Sequence, residues 1–154
     1  MKMTRFRFFA FALVMSVFGS LTLSHSASAQ TKVLILNAND AMQFDKKEFK
    51  VKAGQKIKLT LKHTGKFAKQ AMGHNFVLLK KGTDLPDFAS KANMAGSTDY
   101  IPKSEEGNII AHTKLLGGGE VDTITFTAPA KGTYTYVCSF PGHYGLMQGK
   151  FIVE

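Results

Sequence analysis

The sequence predicts an all-β domain, a Greek-key sandwich or barrel of about eight strands, with one short helical insertion around residues 85–95. Two observations carry this. After residue 30 the apolar residues recur with period two far more than with period 3.6. Gly, Pro and polar clusters interrupt that rhythm at intervals of roughly 8–12 residues, the spacing expected of short strands in a two-sheet stack.

The elements follow in order. Residues 32–36 (KVLIL) read as a first strand. Phe49-Lys50-Val51 alternates and is turned by Ala53-Gly54-Gln55. Lys56–His63 alternates cleanly, with Ile57, Leu59 and Leu61 on one face and lysines with Thr60 on the other. That is the pattern of a half-buried strand in an antiparallel sheet. Residues 75–79 (NFVLL) give another strand, ended by Lys80-Lys81-Gly82. Residues 83–105 lose the alternation. The stretch 87–95 lacks Gly and Pro and suits a short helix, while Pro86, Gly96 and Pro102 mark loop. Strand signals resume at 109–112 and 114–116, then at 121–127, where Ile124 and Phe126 oppose Thr123 and Thr125 in parity. Ala128-Pro129-Ala130-Lys131-Gly132 turns the chain into the β-branched and aromatic run 133–137, and 150–153 closes the domain.

The N-terminus has a different character. Lys2, Arg5 and Arg7 precede an apolar run from Phe8 to Phe18 broken only by Ser16, and Ala27-Ser28-Ala29 follows. This is the pattern of a cleavable secretory signal peptide over residues 1–29, leaving residues 30–154 as one domain with a modest core. The run is too short for a stable membrane insertion. Losing three basic residues lowers the formal charge from +9, yet the rest stays basic and favours acidic partners at low salt. No Arg-rich segment points to nucleic acid, and the scattered lysines read as solvated side chains.

Cys138 is the only cysteine, so an exported chain cannot use it for an internal disulfide. A lone thiol in an oxidising compartment is a liability unless buried or metal-bound. It opens the stretch Cys138-Ser139-Phe140-Pro141-Gly142-His143-Tyr144-Gly145-Leu146-Met147, with the spacing C-x4-H-x3-M. Pro fixes φ and Gly accepts φ > 0, so Phe140-Pro141-Gly142 must turn and bring His143 and Met147 back before the last strand. A thiol, an imidazole and a thioether in one loop suit a soft, redox-active metal. One more imidazole completes a His2Cys trigonal site with a weak axial Met, and His74 in Met72-Gly73-His74-Asn75-Phe76 is the candidate. Gly73 lets backbone approach a ligand closely, so its carbonyl is a further weak axial candidate. Asn75 and the amides around Cys138 are candidates for hydrogen bonds to the thiolate. His63 and His112 read as structural histidines, and Met42, Met72 and Met94 by themselves as gap-filling core methionines.

With these residues in view, the chain resembles the azurins, bacterial blue copper proteins of the cupredoxin family, over nearly all of residues 30–154. Asn39-Asp40-Ala41-Met42-Gln43-Phe44, Met72-Gly73-His74-Asn75, Ile110-Ala111-His112-Thr113-Lys114-Leu115 and the Cys138-to-Met147 spacing carry the likeness. It implies a cupredoxin-like fold and one type 1 copper held by His74, Cys138 and His143, with Met147 and the Gly73 carbonyl as distant axial contacts. It implies that electrons pass through His143, on the solvent side. It implies an apolar partner patch of Met42, Phe67, Ala71, Met72, Phe140, Pro141, Gly145 and Leu146, and places His63 outside the copper shell. Two features depart from the pattern. The disulfide common near the azurin N-terminus has no second Cys here, and Phe76 stands where a tryptophan is common.

The expected function is therefore a small soluble periplasmic electron carrier, monomeric, meeting transient redox partners such as a c-type cytochrome or a periplasmic reductase. It is not expected to be an enzyme. A Cys138/His143 thiol catalyst needs a substrate cleft that nothing in the pattern provides. A copper oxidase or reductase needs a second copper wired through histidines beside the Cys, but the neighbours are Val137 and Ser139. A copper chaperone favours Met-rich or two-thiol sites. Zinc fits the same ligands without supporting redox work.

Overall fold

The computed structural model describes residues 30–154; the leader expected over residues 1–29 lies outside the described residues. Among the described residues, nine strands form two sheets. The first holds β1 (Lys32–Asn39), β2 (Gln43–Phe44), β4 (Lys56–His63) and β7 (Val121–Thr127) in the order β2-β1-β4-β7. The second holds β3 (Glu48–Val51), β5 (Val77–Leu79), β6 (Ile109–His112), β8 (Gly132–Val137) and β9 (Gln148–Val153) in the order β3-β9-β8-β5-β6. Both sheets are open, so the molecule is a sandwich and the barrel alternative falls away.

The alternation of β4 is realised as Ile57, Leu59 and Leu61 fully buried and Lys56, Lys58 and Lys62 in solvent. They meet Leu34 and Leu36 of β1 and, from the opposite sheet, Phe49, Tyr136 and Phe151 in one core. Each such apolar side chain is worth about 1.5–3 kcal/mol when taken from water. The antiparallel pairing expected for β4 is found on one of its two sides. β4 runs antiparallel to β7 but parallel to β1, with Leu36 opposite Leu61, and β3 runs parallel to β9. Parity of side chains is the same in both pairings, so the sequence pattern does not distinguish them.

The helical insertion expected around residues 85–95 is present. Helix α2 spans Leu85–Asn93; Asp84 caps it by accepting the Asp87 N–H at 2.9 Å, and Pro86 sits in its first turn. Its Phe88 and Ala92 pack with Val77, Leu79, Ile101 and Val137 in a second small core on the outer face of the second sheet. That cover explains why β5 is apolar at every position: both of its faces are buried. Four elements carry no clear sequence signal: the two-residue β2, the one-turn helix α1 (Lys69–Met72), which buries no residue, and the 3-10 turns at Gly96–Thr98 and Lys103–Asn108. The strand signal at 114–116 becomes a single bridge between Leu116 and His74.

Candidate metal centre

Two segments build the centre at one end of the sandwich. The first is the loop between β8 and β9. The Cys138 N–H bonds to the Met147 carbonyl at 2.9 Å, closing the loop at its base. The His143 N–H donates to the Phe140 carbonyl at 3.0 Å across Pro141 and Gly142, whose φ of 79° no other residue type adopts cheaply. The His143 carbonyl then accepts from both Leu146 (3.0 Å) and Met147 (2.8 Å). From outside, Lys47 donates to the Leu146 carbonyl at 2.8 Å.

The second segment follows α1. His74 exchanges two backbone hydrogen bonds with Leu116, at 3.0 and 2.8 Å. Gly73 is wedged: a Cβ there would stand 2.6 Å from the Lys69 carbonyl oxygen, 2.9 Å from the Phe140 ring and 3.0 Å from Leu115. Its φ of −68° is ordinary, so crowding, not dihedral freedom, demands glycine.

These two segments bring His74, Cys138 and His143 together. One ligating atom from each lies within 4.8 Å of the others, and all three residues are buried. The Cys138 sulfur is 3.6 Å from His143 Nδ1, 3.9 Å from His74 Nδ1 and 3.9 Å from the Gly73 carbonyl oxygen. His74 Nε2 donates to the Asn39 carbonyl at 2.9 Å, which leaves its Nδ1 lone pair facing the sulfur. Burial lowers both imidazoles from the ordinary 6.5 to about 4, so they stand neutral and able to donate lone pairs. Burial also pushes the Cys138 thiol up to about 11, against the pull of backbone N–H groups of Asn75 and Phe140. Only a cation in place of the proton makes a thiolate comfortable there. A sulfur and two neutral imidazoles in a buried recess fit a copper or zinc ion.

The other expected residues fall as follows. Met147 is fully buried at the base of the loop. Asn75 is fully buried, but its side chain spans the two segments: Oδ1 accepts the Ser139 N–H at 2.8 Å, and Nδ2 donates to Ser139 Oγ at 2.8 Å. Only its backbone N–H reaches the sulfur. His63 stacks on the His74 ring at 4.4 Å, bonds the Met72 carbonyl through Nε2 at 2.8 Å and accepts the Gly65 N–H at 3.0 Å. It is not one of the three clustered donors. His112 is exposed. Met94 is 80% exposed, so the reading of it as core is corrected; it caps the end of α2, where no apolar neighbour covers it. Phe67 (55%) and Leu146 (58%) are exposed, Ala71 and Gly145 likewise, with Met42, Met72 and Pro141 half-buried. Phe140 differs: it is buried beneath that surface, between the rings of Tyr100 and His143. Sequence reasoning missed Ser139, Tyr100, Leu116 and the Asn39 carbonyl. All act through backbone groups or long-range contacts, which leave no mark in local spacing.

A family model for copper-binding proteins of the plastocyanin/azurin family matches residues 31–154. The chain belongs to that family. Azurin-1 of Alcaligenes xylosoxydans xylosoxydans is 46% identical over 115 residues, 72% of this chain and 88% of its own. Auracyanin-A of Chloroflexus aurantiacus is 38% identical over 131 residues, 84% of this chain and 78% of its own. The solved structure of auracyanin A, described as a "blue" copper protein, superimposes with a TM-score of 0.73 at 37% identity, covering 80% of this chain and 99% of that one. Family membership and the His74–Cys138–His143 cluster together favour copper over zinc and assign one type 1 copper to the site. In this family member Phe76 is fully buried and stacks on Tyr136 at 5.4 Å, so the smaller ring still fills the core. The single Cys138 is buried in the centre and leaves no disulfide elsewhere among the described residues.

Proposed function

We propose that this chain is an exported, periplasmic one-electron carrier that holds one type 1 copper and serves other redox proteins. The observation that carries the reading is the meeting of one sulfur and two imidazole nitrogens within 4.8 Å in a buried recess. His74, Cys138 and His143 would hold the ion, with Met147 and the Gly73 carbonyl as weaker contacts. Copper supplies a Cu(II)/Cu(I) couple there.

The chain's own residues do the rest. The loop hydrogen bonds from Cys138 to Met147 limit how far the donors can move when the charge of the site changes, which keeps the barrier to electron transfer low. His143 retains 3% exposure and His74 none, which supports His143 as the ligand nearer to solvent. Met42, Phe67, Met72, Pro141 and Leu146 around it would make an apolar docking surface for a transient partner such as a c-type cytochrome or a periplasmic reductase, met by a monomer. Phe140 supports that surface from below. The signal-like leader at residues 1–29 supports export. Thiol catalysis is disfavoured because the Cys138 sulfur is fully buried and offers itself to no substrate.

The test is optical. Protein refolded with Cu(II) should show an intense visible sulfur-to-copper band that ascorbate bleaches, and Cys138→Ser should abolish it. Copper-loaded protein that stays colourless contradicts the reading.

A further inference from the structure

Asp99 and Tyr100 are consecutive non-glycine residues in the left-handed region, with φ of 54° and 64°. Each such residue costs free energy, and two in a row persist only where surrounding contacts over-determine them. Those contacts lead to the metal centre. The Tyr100 carbonyl accepts the Ser139 hydroxyl at 2.8 Å, and the Asp99 carbonyl accepts a longer bond from Asn75 Nδ2 at 3.4 Å. Ser139 follows Cys138 and Asn75 follows His74, so the two strained carbonyls face the neighbours of two ligands. Asn75 and Ser139 are almost wholly buried. The bonds form a directional relay: Asn75 Nδ2–H to Ser139 Oγ, and Ser139 O–H to the Tyr100 carbonyl. The Tyr100 ring also meets Phe140 edge-on, with centroids 5.0 Å apart at 70°. Phe140 in turn lies 4.7 Å from the His143 ring, and its backbone N–H is one of the two directed at the Cys138 sulfur.

We propose that the left-handed pair Asp99–Tyr100 is a positioning device for the metal centre. Through Ser139 and Phe140 it fixes the direction of a backbone N–H aimed at the ligand sulfur, and so raises the reduction potential of the bound copper. The inference rests on the copper reading and adds to it a role for the segment inserted between β5 and β6. An N–H aimed at a thiolate withdraws electron density and favours the more electron-rich reduced state. Loosening the strap therefore favours Cu(II).

Three variants test it: Ser139→Ala removes the relay hydroxyl, Tyr100→Ala removes the ring against Phe140, and Ser139→Thr keeps the hydroxyl. Two readouts are measured, the potential of the copper-loaded protein and the amide exchange rate of Phe140 in the metal-free protein. Ser139→Ala and Tyr100→Ala should change the Cu(II)-to-Cu(I) affinity ratio by about tenfold, an effect of the size seen for partners that orient ligands. That lowers the potential by about 59 mV for a one-electron couple. Phe140 exchange should quicken about tenfold more than that of Leu59 in β4, with Ser139→Thr restoring both readouts. Variants that lose thermal stability while potential and relative Phe140 exchange stay as in the parent overturn the proposal, leaving only a structural strap. A colourless parent protein sinks the copper reading instead; unchanged Phe140 exchange in the metal-free variants would then separately dismiss the strap.

Discussion

The two ligand-bearing segments solve the same problem in different ways. The 138–147 loop is closed mainly by its own backbone: three of its donors arise within ten residues, and bonds run from His143 to Phe140 and from Cys138 to Met147, with Lys47, Asn75 and Tyr100 reaching it from outside. The 69–76 segment supplies one side-chain donor, His74, and almost nothing local holds it. Its α1 is a single turn, Gly73 is gripped by Phe140 and Leu115, and His74 is set by Leu116 and the Asn39 carbonyl. One half of the centre is written in local sequence and the other half is a product of tertiary packing. Damage to the second segment should therefore spread through the fold, and damage to the first should stay in the loop.

Gly73→Ala should break that contrast most visibly. Its Cβ has contacts of 2.6, 2.9 and 3.0 Å to relieve, one of them to backbone. A loss of about 2–3 kcal/mol is expected, typical of overpacking, together with weaker copper retention. Chemical denaturation and a copper competition titration would check both parts.

Acid should act on the two imidazoles together. Both are held at about 4 by burial, below the ordinary 6.5. Between those values the unfolded chain of the metal-free protein binds more protons than the folded one. The stability these groups contribute is thus complete above about 6.5 and is lost as pH falls towards 4, on the order of 3 kcal/mol for each imidazole. Urea midpoints of metal-free protein across this range should fall with acidity; a flat profile would mean that the imidazoles are more solvated than their burial indicates.

The loop is expected to respond more locally. Gly142→Ala forces a Cβ into φ 79° and should cost about 1–2 kcal/mol while leaving the β4 amides protected from exchange. Met147→Leu preserves volume at a fully buried site, so stability should change by no more than about 1.5 kcal/mol. The visible band should survive and the potential should move; loss of copper binding on that change would show that Met147 does more than make a weak axial contact.

Legibility in the sequence follows the same division. Lys56–His63 and Val121–Thr127 were readable to the residue because one face of each meets the core and the other meets water. Helix α2 is legible around residues 85–95, while Pro86, which by itself reads as loop, occupies its first turn behind the Asp84 cap. The parallel pairing of β1 with β4 was not readable, since alternation is blind to strand direction. Neither was the burial of Phe140, which depends on Tyr100 reaching it from forty residues away in sequence. At the centre, the C-x4-H-x3-M spacing pointed to three donors by itself. The approach of His74 rested on residue chemistry and on resemblance until the distance to the Cys138 sulfur could be measured.

X-ray absorption at the copper edge of the loaded protein tests the central claim most directly. The account predicts one sulfur and two imidazole nitrogens as the close ligands, with one imidazole lost in His74→Ala. A spectrum with nitrogen and oxygen neighbours alone, or one that His74→Ala leaves unchanged, would contradict it.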